Sequence, residues 1–297
     1  MNTIPEHLQR LLTEHGVEIA GQREIEHATQ YHLIRGPEEA TLNVYRTGKI
    51  SEGGESPRLR ELLRGWRVAH SSSRTSKESK STRPALDATP RIGIDEAGKG
   101  DYFGPLVVAG VRVSGEKVAQ RLQEIGVRDS KDLSVAQALR LARDILENVR
   151  PENTCLIVLS PVEYEKRRKA AGDINRLLGE LDAEIIYNLK GKVEKIVVDE
   201  FARSAHSYLE PFVPRGIYLE VRKRAEDDAA VAAASILARA RQLEEMESLS
   251  EQVGFELPRG AANVLEAARR VLEERGEEGL AGVAKISFAT TGQVLGN

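Results

Sequence analysis

Residues 91–106 read RIGIDEAGKGDYFGPL. The apolar start, Arg91 to Ile94, has the character of a buried strand, and Asp95 and Glu96 stand at its end. Gly98-Lys99-Gly100 supplies a turn, and residues 106–113 (LVVAGVRV) resume as a second strand. Further along, residues 154–160, 195–198 and 217–221 are apolar enough for strands. Residues 135–149, 173–189, 227–249 and 261–275 carry helical spacing. An opening hairpin followed by alternating strands and helices predicts an α/β domain built on a sheet of mixed direction.

Upstream, residues 69–90 (AHSSSRTSKESKSTRPALDATP) lack aromatic side chains and are rich in Ser, Thr and Lys. Such a stretch buries too little apolar area to offset its ordering entropy, so it reads as a flexible linker. The expected division is a small domain at 1–68, the linker at 69–90 and the larger domain at 91–297. In the small domain, residues 4–15 predict a helix with Leu8, Leu11 and Leu12 on one face. Strands are expected at 30–34 and 41–45 around the turn Arg35-Gly36-Pro37-Glu38, with a short strand after Thr47-Gly48-Lys49 and a helix at 57–66. Tyr45, Lys49 and Trp66 could suggest a nucleic-acid face, although Trp on an amphipathic helix is more often core.

Composition narrows the chemistry. With 40% hydrophobic and 30% charged residues over 297 positions, the chain has the balance of a folded soluble protein. No apolar run approaches the roughly 20 residues needed to span a bilayer. The first 16 residues lack a secretion pattern, so a cytoplasmic setting is expected. The single Cys155 excludes an intrachain disulfide and a cysteine-built zinc site. Of six histidines only His206 follows the linker, which leaves little material for a histidine-based triad. The net charge of −3 decides nothing, because a local basic groove can bind phosphates on an acidic protein.

Carboxylates remain. Asp95 and Glu96 end one apolar strand, Asp199 follows another (Ile196-Val197-Val198), and Glu226, Asp227 and Asp228 precede the helix AAVAAASILAR. Each has an ordinary reading: a salt bridge for the strand ends, and a favourable helix N-terminus for the acidic run. Taken together, two strand ends and one helix start could deliver carboxylates to one edge of a sheet. Carboxylates so gathered repel unless cations neutralise them, and hard oxygen ligands suit Mg²⁺ or Mn²⁺.

The stretch from Ile92 to Leu106 resembles the opening motif of the type 2 ribonucleases H, and Gly-Asp-Tyr-Phe-Gly-Pro (residues 100–105) resembles the HIII branch in particular. Asp129-Ser130-Lys131, Val198-Asp199-Glu200-Phe201, AAASILAR (residues 232–239) and Pro258-Arg259-Gly260-Ala261 follow in the same order as in that family. The resemblance implies a ribonuclease H-like mixed sheet with flanking helices, behind a small α+β substrate-binding domain resembling the TATA-binding-protein fold. It implies an endonuclease that cuts the RNA strand of RNA–DNA hybrids with two metal ions, leaving 5′-phosphate and 3′-hydroxyl ends. Asp95, Glu96, Asp199 and Glu226 become the expected tetrad for Mg²⁺ or Mn²⁺, with Asp227 and Asp228 competing for the last place. Gly98, Lys99, Gly100, Ser130 and Lys131 become the expected substrate contacts. The glycines would let backbone amides approach a ribose 2′-hydroxyl, although a tight strand connection would also call for glycine. Tyr102 and Phe103 read as core rather than base-stacking residues. The expected partner is an RNA–DNA hybrid, with no membrane, and the expected state is monomeric. The rivals are an HII-type enzyme, which incises at single ribonucleotides embedded in DNA, and a catalytically silent hybrid-binding protein.

Overall fold

Two units make up the chain, Met1–Thr82 and Arg83–Asn297. The structure, a computed structural model, describes residues 4, 6–25, 28–45, 50–54, 56, 58–59, 62–63, 87–127 and 133–296. The readings made for Lys49, Trp66, most of the linker, Asp129, Ser130 and Lys131 lie outside the described residues.

In the first unit, helix α1 (Glu6–Glu14) precedes strands β1 (Glu18–Ile25), β2 (Ala28–Arg35), β3 (Glu38–Tyr45) and β4 (Ile50–Gly53). The strands pair antiparallel in chain order. Leu8 and Leu12, four residues apart, share one helix face. They join Tyr31, Leu33, Leu42, Val44, Leu59 and Leu63 in one core. Strand β1 was not anticipated. It is an edge strand whose residues are exposed as far as Glu24, so it carries no alternation of apolar and polar side chains to read.

The second unit is built on a five-stranded sheet: β5 (Arg91–Ala97), β6 (Leu106–Val113), β7 (Thr154–Leu159), β8 (Lys195–Asp199) and β9 (Tyr218–Arg222). The order is β7-β6-β5-β8-β9, with β5 central. Strand β6 pairs antiparallel with β5 and β7, whereas β8 lies parallel to β5 and β9 parallel to β8. The expected mixed sheet is present. Strand β5 runs further than the sequence suggested, pairing through Ala97 with Val107, so Asp95 and Glu96 lie within the ladder rather than after it.

Helices α2 (Glu116–Ile125), α3 (Val135–Asn148) and α7 (Ala229–Val253) cover one face of this sheet. Helices α4 (Pro161–Ala171), α5 (Ile174–Asn188) and α6 (Ala205–Leu209) contribute to the core on the other. Helices α8 (Leu265–Val283) and α9 (Ala289–Leu295) pack around Tyr102 and Phe103, both fully buried. Helices α2, α4 and α9 were missed. For α4 a signal was present: Ser160-Pro161-Val162-Glu163 is a capping box with Pro at the first turn, and both reciprocal hydrogen bonds form. Helix α8 runs past residue 275 across a kink at Gly276, where φ is 69°.

Candidate active site

Successive residues of a strand point to opposite faces, and β5 obeys this strictly. Ile92 and Ile94 enter the aliphatic core on the α5 side. Gly93 instead faces α7: a Cβ placed there would lie 2.2 Å from the Val231 nitrogen and 2.3 Å from the Ala230 carbonyl carbon. Only hydrogen fits. The glycine lets the start of α7 settle directly on the central strand, and the buried alanines Ala230, Ala233 and Ala234 keep the helix close.

Two residues on, Asp95 shares that face. Its carboxylate accepts a hydrogen bond from Ser235, the one hydroxyl in the alanine run of α7, and its Oδ1 accepts from the Glu96 amide at 2.8 Å. Parallel pairing of β5 with β8 brings Asp199 alongside. Asp199 Oδ1 accepts from the Ala225 amide at 2.9 Å, which ties the turn ahead of α7 to the sheet edge. That turn, Ala225–Asp227, carries Glu226, which is buried. One carboxylate oxygen each from Asp95, Asp199 and Glu226 lies within 4.8 Å of the others. Burial above all, with Asp199 and Glu226 adding repulsion, raises Asp95 to about 7 against the pull of its hydrogen bonds. A hard divalent cation answers this donor set in charge, in ligand type and in size.

The acidic run 226–228 is divided among three tasks. Glu226 joins the cluster. Asp227 is exposed and pairs with Arg222. Asp228 is buried, caps α7 through the Ala230 amide at 2.8 Å, and pairs with the buried Arg91 at 2.7 Å.

Glu96 is not part of the close trio. It lies on the other face of β5, which explains why two adjacent carboxylates do not converge on one point. Burial chiefly, then Asp95, raises Glu96 to about 8, and Lys99 opposes the shift. The Lys99 ammonium stands 4.0 Å from Glu96 and donates to the Phe201 carbonyl at 2.6 Å. Its head is therefore turned into the protein, toward the loop that follows β8.

The two glycines of the turn have different reasons to be glycine. Gly98 has φ +85°, and a Cβ there would lie 2.2 Å from the Pro105 carbonyl oxygen, so the fold itself demands it. Gly100 has an ordinary φ and open space where a Cβ would go. Nothing within the described residues requires glycine at 100. Beyond it the chain is pinned from below. Asp101 accepts from the Gly260 amide at 2.7 Å and from Gln242 at 3.0 Å. Lys285, wholly buried, donates to the Asp101 and Gly104 carbonyls at 2.7 and 2.8 Å. Burial lowers Lys285 to about 8 against the pull of Asp101 and Glu165.

Of the expected residues, then, the structure gathers Asp95, Asp199 and Glu226, sets Glu96 behind them, and leaves Gly98, Lys99 and Gly100 on the adjoining turn. Ser130 and Lys131 lie outside the described residues. Sequence reading passed over Asp101, Ser235 and Lys285. Ser235 was visible as a lone hydroxyl among alanines and Asp101 as part of the opening motif; Lys285 gave no local signal, since its partners lie some 180 positions earlier.

Known proteins agree with this architecture. The family model for ribonuclease HII matches residues 92–291. Ribonuclease HIII of Protochlamydia amoebophila is 34% identical over 264 residues, covering 86% of this chain and 84% of its own. That of Bacillus licheniformis is 33% identical over 272 residues, with 86% and 85% covered. The crystal structure of Bst-RNase HIII in complex with Mn²⁺ superposes with a TM-score of 0.64 at 30% identity, covering all of this chain and 97% of that one. On the motifs, the sheet and these matches, the chain belongs to ribonuclease HIII, within the type 2 ribonuclease H family.

Proposed function

We propose that this chain is a metal-dependent endonuclease that hydrolyses the RNA strand of RNA–DNA hybrids, leaving 5′-phosphate and 3′-hydroxyl ends. The observation that carries the reading is the approach of Asp95, Asp199 and Glu226 oxygens to within 4.8 Å of one another, in a chain of this family. Asp95, Glu96, Asp199 and Glu226 would hold two divalent cations, Mg²⁺ or Mn²⁺. Held there, such cations would supply Lewis-acid chemistry, lowering the pKa of a bound water and neutralising charge on the departing 3′-oxygen.

The protein's own part is placement. Asp199 fixes the turn that presents Glu226, and Ser235 holds the Asp95 carboxylate toward the cluster. With the Lys99 head engaged by Phe201, selection for RNA falls to the backbone of the Gly98-Lys99-Gly100 turn, where the open side of Gly100 admits a ribose 2′-hydroxyl. Ser130 and Lys131 are assigned to the phosphate backbone. Residues 1–68 are assigned to hybrid binding, joined by the 69–90 linker to the catalytic domain 91–297. The enzyme is read as a cytoplasmic monomer. Among the described residues no helix is long and apolar enough to cross a membrane.

An end-labelled RNA–DNA hybrid tests this, incubated with Mg²⁺, Mn²⁺ or EDTA and with the parent protein, Asp95→Asn and Asp199→Asn. The RNA strand is expected to be cut with metal only, and about a hundredfold or more slower in each variant, as when one preorganised stabilising group is lost. A folded parent protein that binds hybrid but fails to cut it in either Mg²⁺ or Mn²⁺ would leave hybrid binding as the better account. A duplex with one embedded ribonucleotide, tested in parallel, separates this activity from the HII type.

A further inference from the structure

The connection between β5 and β6 doubles back on itself. The Asp101 amide donates to the Gly98 carbonyl at 3.2 Å, and Gly98 abuts the Pro105 carbonyl oxygen. Within this loop the Asp101 and Gly104 carbonyls converge on one point, and the Lys285 ammonium occupies it, at 2.7 and 2.8 Å. The Lys285 backbone amide donates to the Tyr102 carbonyl at 2.8 Å. The Asp101, Tyr102 and Gly104 carbonyls therefore all end on one residue. That residue arrives from just beyond α8, some 180 positions away, and is wholly buried. The Tyr164 ring stands 5.7 Å from its ammonium.

Core packing alone does not call for a lysine here. Tyr102, Phe103, Val283 and Ala284 around it are buried, and burying an ammonium costs free energy. An aliphatic side chain would avoid that cost but leave two converging carbonyls unpaired, whereas an ammonium has donors for both. Other contacts hold the same segment differently. The Asp101 carboxylate is tied to the Gly260 amide and to Gln242 of α7, and the Tyr102 amide donates to the Gly260 carbonyl at 2.8 Å. Those fix a side chain and an amide; Lys285 fixes the carbonyls, and with them the tilt of the planar peptides leading out of the turn. Gly100, one residue before Asp101, has no side chain and open space around it, so its place depends on its neighbours.

Resting on the assignment of RNA selection to the Gly98-Lys99-Gly100 turn, we infer that Lys285 is a positioning residue. By gathering the Asp101 and Gly104 carbonyls it holds the Gly100 backbone where a ribose 2′-hydroxyl is read, without touching substrate itself. Discrimination between RNA and DNA then depends on a side chain that lies wholly inside the protein.

The experiment uses the full chain and a duplex in which one DNA strand carries a short central run of ribonucleotides. Cleavage at one phosphodiester is compared with cleavage at the same bond after the ribose on its 5′ side is made 2′-deoxy. The ratio of the two rates is the deoxy penalty. It is measured, with thermal midpoints, for the parent, Lys285→Met, Lys285→Gln, Leu280→Ala and Gly100→Ala. Lys285→Met is expected to cut the all-ribose bond about tenfold to a hundredfold more slowly, with a deoxy penalty about tenfold smaller. Leu280→Ala, a cavity in the same core, should melt lower and keep the parent penalty. Should Lys285→Met not fold, Lys285→Gln, which keeps N–H donors on a shorter stem, is read for the same loss of penalty. A folded Lys285 variant with the parent penalty, whatever its rate, overturns the inference and leaves Lys285 a brace of the core. An equal loss of penalty in Leu280→Ala overturns it too, since any loosening of this core would then suffice. Gly100→Ala tests the reading beneath: it should fold as the parent, because a Cβ there meets nothing, and lose selectivity. The parent penalty in Gly100→Ala would instead sink the role of the turn in selecting RNA.

Discussion

The two faces of β5 meet their helices on different terms. Toward α7 the strand offers Gly93, and the helix answers with Ala230, Ala233 and Ala234, so backbone approaches backbone. Toward α5 it offers Ile92 and Ile94, and the helix answers with Leu178, Leu181 and Ile185. The close face carries the converging carboxylates, and the aliphatic face carries the larger share of apolar volume. Small residues leave a helix little freedom to shift, which suits groups that must stay a few ångströms apart. Large side chains bury more area but can repack. Placement of charge and bulk stability are therefore drawn from opposite sides of one strand.

The largest expected effect lies where α7 is anchored. Asp228→Ala removes the cap of α7 and leaves the Arg91 guanidinium buried without its partner. A stability loss of about 3–5 kcal/mol follows, read from denaturant unfolding. A loss near zero would show that the Asp87 and Thr89 carbonyls, which also accept from Arg91, suffice alone. Next comes Ile185→Ala on the other face, where Ile185 is fully buried. Cavity formation there is expected to cost about 2–5 kcal/mol. Mn²⁺ affinity of the folded fraction should stay at the parent level. Weakened metal binding in this variant would break the division of labour between the faces.

Much of this arrangement was legible beforehand. The central strand, the hairpin and the alternation after it were readable because fully buried strands are continuous apolar runs, and Asp95, Asp199 and Glu226 stood where such runs or a helix began or ended. What escaped reading was non-local or unpatterned. Strand β1 has almost no buried side chain, and α4 is more polar than amphipathic, so neither shows periodicity. The separation of Glu96 from the trio needed the strand to continue past Ile94, and the sequence alone suggested that it stopped there.

Gly93→Ala is a smaller change in energy and a sharper one in function. The added methyl would sit 2.2 Å from the Val231 backbone nitrogen, so either the helix or the strand must move. Such overpacking costs about 1–3 kcal/mol. Because Glu226 lies just ahead of α7, the same shift should weaken Mn²⁺ binding more than Ile185→Ala does, although the stability loss is no larger. The ratio of the two effects, compared between these variants, measures how far the close face is specialised for placement. Equal ratios would remove the distinction.

The smallest effect is expected at Asp227, one residue from each of the two that matter most. Its side chain is 73% exposed, and its partner Arg222 is also engaged by Glu220. An ion pair in that setting contributes at most about 1 kcal/mol, because water screens both charges and Arg222 keeps a second acceptor. Asp227→Ala should therefore unfold within about 1 kcal/mol of the parent and cut an RNA–DNA hybrid at the parent rate. Glu226→Gln, beside it, should lose cleavage while remaining folded. A reversal, with cleavage lost in Asp227→Ala and kept in Glu226→Gln, would mean that the turn at 225–227 rearranges when metal and substrate bind. The close packing of α7 would then set the place of the helix but not of the carboxylate that precedes it.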